Sequence, residues 1–462
     1  MFRLSLLLSL LFVLGHRLPA REELQLANDR IKLVFDSANG NLLSAAADGI
    51  TVSPENSASA VAIQLEGTDE FPGKTPMRLQ SYRFPAADTL ELVLASPEWE
   101  ARVRYRLVEN ESAFSRSVRW TRLAGAPVRI EALRFRLTGI HPGAPATSFY
   151  TFPTRYPADE VPFSEMRRRK TTVNSWDVAL PCVVLYNTTS HSGVAVHPVT
   201  LEDDFSQTLI EKEGQVTIES AFHARTSLKP GESLTSGDEY ISLSNAPLNG
   251  VIAAVGRRWH DSSFRCQTAP AWSRGAVLYG SYAGGTDSSW MRDIGGLKNF
   301  TTFLLPRLEA LGVDAIWFNP LNPGSYGITE YCEVDPRNGT MEDLANTVKE
   351  AKKRKMRVLL DMIPHGPTRN SRLGRKIVAE NPEWVSRDRA GEMKSWWGGL
   401  CMDYAAPGWQ AYISDVARFY MERCAVDSWR VDVAVSSPDN ESPRPGLRPS
   451  QSRMYGALEL LR

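Results

Sequence analysis

The chain has 462 residues, 53 Lys+Arg against 53 Asp+Glu, and a hydrophobic content of 42%. That length predicts two or three domains, and that composition is enough for ordinary hydrophobic cores. The charge balance excludes the basic footprint of a nucleic-acid binder or of a protein held on an acidic membrane surface. Twelve Trp and 14 Tyr supply aromatic faces, which can stack on sugar rings or fill cores.

Arg3 precedes an apolar run over 4–14, and Leu18-Pro19-Ala20 offers a small residue before a cut. Residues 1–20 therefore read as a secretory signal peptide, with an apolar run too short to span a bilayer. The mature chain is expected to begin near Arg21 and to be secreted or periplasmic. An N-terminal membrane anchor is the competing reading, and no later segment is long and apolar enough to span. Cys182, Cys266, Cys332, Cys401 and Cys424 are scattered, with no close CxxC pair, so no metal site is expected of them. An odd number leaves at least one thiol outside intrachain pairing.

Residues 21–250 read as an all-β domain, most simply a large antiparallel sandwich. Ile31, Leu33 and Phe35 alternate with polar residues before an Asn39-Gly40-Asn41 turn. Leu90, Leu92 and Leu94 alternate too, as do Val103, Tyr105 and Leu107, and then Ile130, Leu133, Phe135 and Leu137. Residues 251–275 read as a connector with a short helix broken before Pro270.

From 276 the pattern changes. Apolar strand-like runs over 276–279, 313–318, 357–362 and 426–433 alternate with helical periodicity over 297–311, 341–355 and 410–424. Gly312 stops the first helix, and Thr340 caps the second with Asp343 in its first turn. Alternating strands and helices predict a parallel (β/α)8 barrel, in which functional residues sit at the carboxyl ends of strands. A long loop is expected between the third strand and the third helix. A barrel typically takes about 250 residues, and residues 276–462 show four strands, so the barrel reads as truncated after strand four.

Two strand ends carry charge. The third strand ends in Asp361. In the fourth, Arg430 and Asp432 are two residues apart and so share a face of an otherwise apolar strand. Such a pair is costly unless the partners satisfy each other or do chemistry.

Four segments in order carry a resemblance: VDAIWFNPL at 313–321, SYGITEYCEVDPRNGTMEDL at 325–344, RVLLDMIPHG at 357–366 and SWRVDVA at 428–434. Together they resemble the first half of a glycoside hydrolase family 13 (α-amylase-type) barrel. IKLVFDSANGNLLSA and WEARVRYRLVENESAFSRSVRWT look, more loosely, like a galactose-mutarotase-like sandwich, a module that precedes catalytic barrels in several glycosidase families.

The resemblance implies a retaining glycosidase acting on α-glucans or related oligosaccharides. Asp432 matches the catalytic nucleophile, and Arg430 the arginine that holds it. A guanidinium beside a carboxylate keeps it ionised, as attack on an anomeric carbon requires. Tyr326 matches the tyrosine that stacks on the sugar, and the residue before it is Ser325 where the family has Gly. Asp361 and Asp403 match structural aspartates. His365 and Gly366 stand where the family usually has Asn then His, so His365 is either a sugar contact or a plain loop residue. That Asn is a calcium ligand in many members, and its absence argues against a calcium site, so no cofactor is expected. Trp396 and Trp397 are candidate acceptor-subsite residues, and Trp176 a candidate cleft wall. Glu459 sits in a helical run and is not taken as the general acid, which the family carries on a fifth strand. Two other classes remain open: a catalytically silent glycan-binding relative, and a cell-surface module that would have no reason to keep Tyr326, Arg430 and Asp432 together.

Overall fold

The computed structural model describes residues 23–47, 49–52, 61–68, 77–140, 142–152, 161–162, 170–174, 182–200, 204–212, 215–261, 270–283, 294–432, 439–442 and 449. The leader-like run, Trp176, Cys266 and the helical run containing Glu459 lie outside these residues.

Up to Ser244 the described chain is built from strands, turns and one short 3-10 turn, and its strand pairings are antiparallel. Two large sheets share one core. The first orders Lys170–Asn174, Asp204–Lys212, Gln215–Leu228, Val128–Thr138 and Val61–Leu65. The second runs from Val161–Pro162 through Ser148–Thr151, Val183–Asn187, Ser192–Val199, Asp238–Ser244, Ala113–Arg122, Trp99–Leu107 and Thr89–Ala95 to Arg78–Ala86.

The period-2 pattern decides the faces. In Trp99–Leu107 the residues Ala101, Val103, Tyr105 and Leu107 are buried, while Arg102, Arg104 and Arg106 face solvent. Across the core they join Leu133, Phe135 and Phe222 of the first sheet. Each such large side chain contributes about 1.5–3 kcal/mol by leaving water. Val183–Asn187 is buried on both faces for a different reason. Val183 and Leu185 enter the sandwich core, whereas Val184 and Tyr186 meet Val251 and Val255 of the connector helix Leu248–Asp261.

The second unit is a parallel sheet of four strands in the order Leu278–Ser281, Ala315–Phe318, Arg357–Met362 and Ser428–Val431. Strand one begins two residues later than the sequence pattern predicts. Its entry is fixed outside the ladder, where the Val277 amide donates to Asp314 Oδ2 at 2.9 Å. The first helix runs Gly296–Asn299, widens into a π turn over Phe300–Leu304 and resumes at Leu305–Ala310. Pro306 explains the widening, since its ring would clash with the carbonyl four residues back in a regular helix.

Met341–Lys353 starts with a full capping box. Thr340 Oγ1 accepts from the Asp343 amide at 3.1 Å, and Asp343 Oδ2 accepts from the Thr340 amide at 3.0 Å. The stretch expected to be a long loop holds more order than the sequence suggests. It contains a helix, Arg372–Glu380, whose N-cap Ser371 accepts from the Gly374 amide at 2.9 Å, and a hairpin of Ser395–Trp396 with Gly399–Leu400. Helix Pro407–Cys424 then leads back to strand four. Cys182, Cys332, Cys401 and Cys424 are free thiols. Among the described residues no helix is long and apolar enough to cross a membrane.

Candidate active site

Parallel pairing sets the centre of the site. Asp361 and Arg430 are register partners on strands three and four, so their side chains emerge on the same face. Arg430 Nη1 lies 3.1 Å from Asp361 Oδ1 and 3.2 Å from Oδ2, and the same nitrogen donates to Asp432 Oδ1. One guanidinium therefore ties together the ends of two strands. Its other support is a cation–π contact, with Arg430 Cζ 5.0 Å from the centre of the Trp317 ring on strand two.

The Asp361 side chain is fully buried. Its other partner is Tyr326, whose hydroxyl is 3.1 Å from Asp361 Oδ2 and 2.9 Å from Asn319 Oδ1. Burial pushes the Asp361 carboxyl up to about 6, against the opposing pull of Arg430 and the Tyr326 hydroxyl. Burial raises the Tyr326 phenol too, and the Asp361 charge adds to that rise. Tyr326 therefore stays a neutral hydroxyl. Asp432 is less enclosed than Asp361, with its side chain 16% exposed, and its amide donates to the Met362 carbonyl at 2.8 Å.

His365 is buried, and burial lowers its pKa while the nearby Asp432 charge raises it. Its ring meets Trp397 edge-on at 6.0 Å. Trp396 and Trp397 stack on each other with centroids 3.9 Å apart and planes 19° apart. Trp397 is 69% exposed and sits at φ 52, followed by Gly398 at φ 77. Two successive positive φ values are the type I′ hairpin turn, which favours Asn, Asp or Gly at its first position. A tryptophan there is strained, and its indole is presented to solvent.

Gly366 accounts for the departure from the resemblance's pattern. It has φ 129, and a Cβ there would stand 2.3 Å from the Leu400 carbonyl oxygen. The hairpin thus occupies the space that a side chain at 366 would need. The position that would offer an asparagine oxygen to calcium carries His365, a nitrogen donor set against Trp397. The residues present do not fit a calcium ion, which takes oxygen ligands.

The geometry thus brings together Asp361, Tyr326, Arg430, Asp432 and His365, with Trp397 and Trp396 beyond His365. Asp403 stands apart from this group. Its Oδ2 accepts from Asn440 Nδ2 at 2.8 Å and its Oδ1 from the Ala405 amide at 2.9 Å, a bracing arrangement. The sequence reading missed Trp317 and Asn319. A tryptophan within an apolar strand reads as core, and Asn319 reads as the strand's polar exit. A cavity of about 870 Å³ lies elsewhere, lined by sandwich and connector-helix residues such as Arg106, Tyr240 and Arg258. It holds none of this constellation, which lies at the ends of the parallel strands.

Residues 279–383 match the family model of the alpha amylase catalytic domain. The chain is 35% identical over 97 residues to a probable alpha-glucosidase of Rhizobium meliloti, covering 20% of this chain and 17% of that protein. It is 26% identical over 194 residues to the 1,4-alpha-glucan branching enzyme of Oceanobacillus iheyensis, covering 40% and 30%. It is 29% identical over 158 residues to the trehalose-6-phosphate hydrolase of Escherichia coli, covering 31% and 28%. The chain thus spans less than a third of the length of each of these relatives. Among solved structures, the GH36 alpha-galactosidase AgaA of Geobacillus stearothermophilus superposes with a TM-score of 0.62 at 13% identity, over 95% of this chain and 70% of that one. The alpha-N-acetylgalactosaminidase NagBb of Bifidobacterium bifidum gives 0.64 at 13%, over 94% and 73%. These two likenesses show the fold. The sequence matches show likeness to an α-amylase-type catalytic domain over residues 279–383.

Proposed function

We propose that the chain is the sandwich and leading barrel segment of an exported, retaining glycoside hydrolase that acts on α-glucans or related oligosaccharides. The observation that carries this reading is the single guanidinium of Arg430 shared between Asp361 and Asp432. A buried carboxylate on one side fixes the arginine, and the arginine orients the more open carboxylate on the other. Asp432 attacks the anomeric carbon, an ester bond forms between its oxygen and that carbon, and the leaving group departs with the bond electrons. Water or a second sugar then takes the glycosyl group and restores the carboxylate. A general acid about 5–5.5 Å from the nucleophile protonates ordinary leaving groups in such enzymes, and none of the described residues is assigned that part.

Fluoride needs no proton to leave, so the chain can be tested without assigning the acid. Fluoride release from α-maltosyl fluoride is expected from the parent chain. In Asp432→Asn it should fall by a factor on the order of 10⁴. Equal release by both would sink the nucleophile assignment.

Gly366 favours a second reading, a glycan-binding relative without turnover, because the histidine that the family places there is missing. In that case maltooligosaccharides bind but maltosyl fluoride is stable. Export rests on Arg3 and the apolar run after it. N-terminal sequencing of the chain recovered from outside the cell checks it, with a start near Arg21 expected and retention inside the cell contradicting it.

A further inference from the structure

We propose that Arg225 is a positioning residue. From a bulge in the sandwich it fixes segment 439–442, and through that segment the tryptophan hairpin beside the barrel site. The inference rests on reading that barrel face as a glycan cleft.

Arg225 is a non-glycine residue at φ 43, a conformation that L side chains rarely adopt. The ladder shows why it is there. Ile130 pairs with Thr226 and Ala132 with His223, so Glu131 stands opposite both Ala224 and Arg225. A bulge re-aims a side chain out of its regular direction. Arg225 is aimed at the barrel unit, with Nη1 2.5 Å from Asp439 Oδ2, Nε 3.3 Å from Glu131 Oε1 and Nη2 3.7 Å from Asp204 Oδ2. The Asp204 and Asp439 side chains are almost fully buried. His223 helps set the cluster, since its Nδ1 lies 3.7 Å from Glu131 Oε1 and its side chain, with Arg225, holds the Glu131 carboxyl down at about 2.

Segment 439–442 is a junction. The Asp439 carbonyl accepts from Lys394 Nζ at 2.8 Å, and Glu441 Oε1 accepts from the same ammonium at 2.7 Å. Asn440 Oδ1 accepts from the Arg387 amide at 3.0 Å, while its Nδ2 donates to Asp403. A second tie to the sandwich runs from Glu441 through Arg389 to Glu66. Lys394 immediately precedes Ser395–Trp396, so the ammonium that the junction holds is the foot of the hairpin. Exposed ion pairs contribute little, but here removing Arg225 takes away a cation shared by Glu131 and two almost fully buried acids, Asp204 and Asp439. The segment, rather than a single contact, is then released.

The test uses the full chain and three variants, Arg225→Ala, Arg225→Lys and Asp439→Asn, the last nearly isosteric. Maltoheptaose affinity is read by tryptophan fluorescence. Acrylamide quenching of Trp397 is read as the difference between each variant and its Trp397→Phe form. Arg225→Ala and Asp439→Asn are expected to weaken maltoheptaose about tenfold and to change Trp397 quenching, with Arg225→Lys closer to the parent in both. A fall in Tm with affinity and Trp397 quenching both unchanged would overturn the proposal, leaving the cluster a plain interdomain brace. If the parent binds no maltoheptaose, the glycan-cleft reading fails, and Trp397 quenching alone decides whether Arg225 sets the hairpin.

Discussion

A Cβ on Gly366 would stand 2.3 Å from the carbonyl oxygen of Leu400. The hairpin and the exit of strand three therefore cannot both keep their places if residue 366 carries a side chain. Its φ of 129 adds a second obstacle to any other residue. Gly366→Ala is expected to cost about 2–4 kcal/mol, combining overpacking with a backbone strained for L residues. Gly366→His, which matches the family pattern, should be at least as harmful. Urea denaturation checks both, and a loss below about 0.5 kcal/mol would show that the hairpin moves aside freely.

Asp361 gives a pH signature. Its carboxyl titrates near 6 in the folded chain, above the ordinary carboxylate value, so the folded state holds a proton that the unfolded state has lost. The stability from this group is fully present below the unfolded pKa, near 4, and disappears as pH rises through about 6. Asp361→Asn should flatten the curve of stability against pH in that window, removing a change of about 2–3 kcal/mol. Parallel pH curves for parent and variant would contradict the assignment.

Trp397 trades stability for presentation. At φ 52 on a type I′ turn it occupies a place that suits asparagine. Trp397→Asn is expected to stabilise the fold by about 1 kcal/mol while weakening maltooligosaccharide binding roughly five- to tenfold. Calorimetric melting and fluorescence titration read the two effects separately. A variant that is both less stable and equally good at binding would remove the platform role.

The second barrel helix depends on its cap. Thr340→Ala leaves the Asp343 amide without its acceptor and is expected to cost about 1 kcal/mol. Thr340→Ser should retain most of the stability, and both are measured by denaturant midpoint.

Much of this architecture is legible in the chain, and the reasons differ by element. Strand three is legible because the apolar run 358–360 is interrupted by Asp361 one residue before the strand ends, and the Thr340 cap because its partner sits three residues on. The Arg430–Asp432 pair follows from strand periodicity alone. The helix Arg372–Glu380 escaped notice because its apolar residues are few and Gly374 interrupts it; that glycine sits 2.2 Å, measured from a built Cβ, from the Thr368 carbonyl. Trp317 was hidden by its strand, where a stacking partner of Arg430 reads like core. The Arg225–Asp439 contact joins residues 214 apart through a bulge, and no local pattern announces such a pairing.

As the proposed nucleophile, Asp432 becomes covalently bonded to the sugar during turnover. The most direct measurement incubates the chain with 5-fluoro-α-glucosyl fluoride, which reacts without an acid and slows release, followed by peptide mass mapping. One hexosyl adduct is expected on the peptide containing Asp432, absent in Asp432→Asn. A mapped adduct on any other carboxylate, or fluoride turnover that persists in the variant, would contradict it.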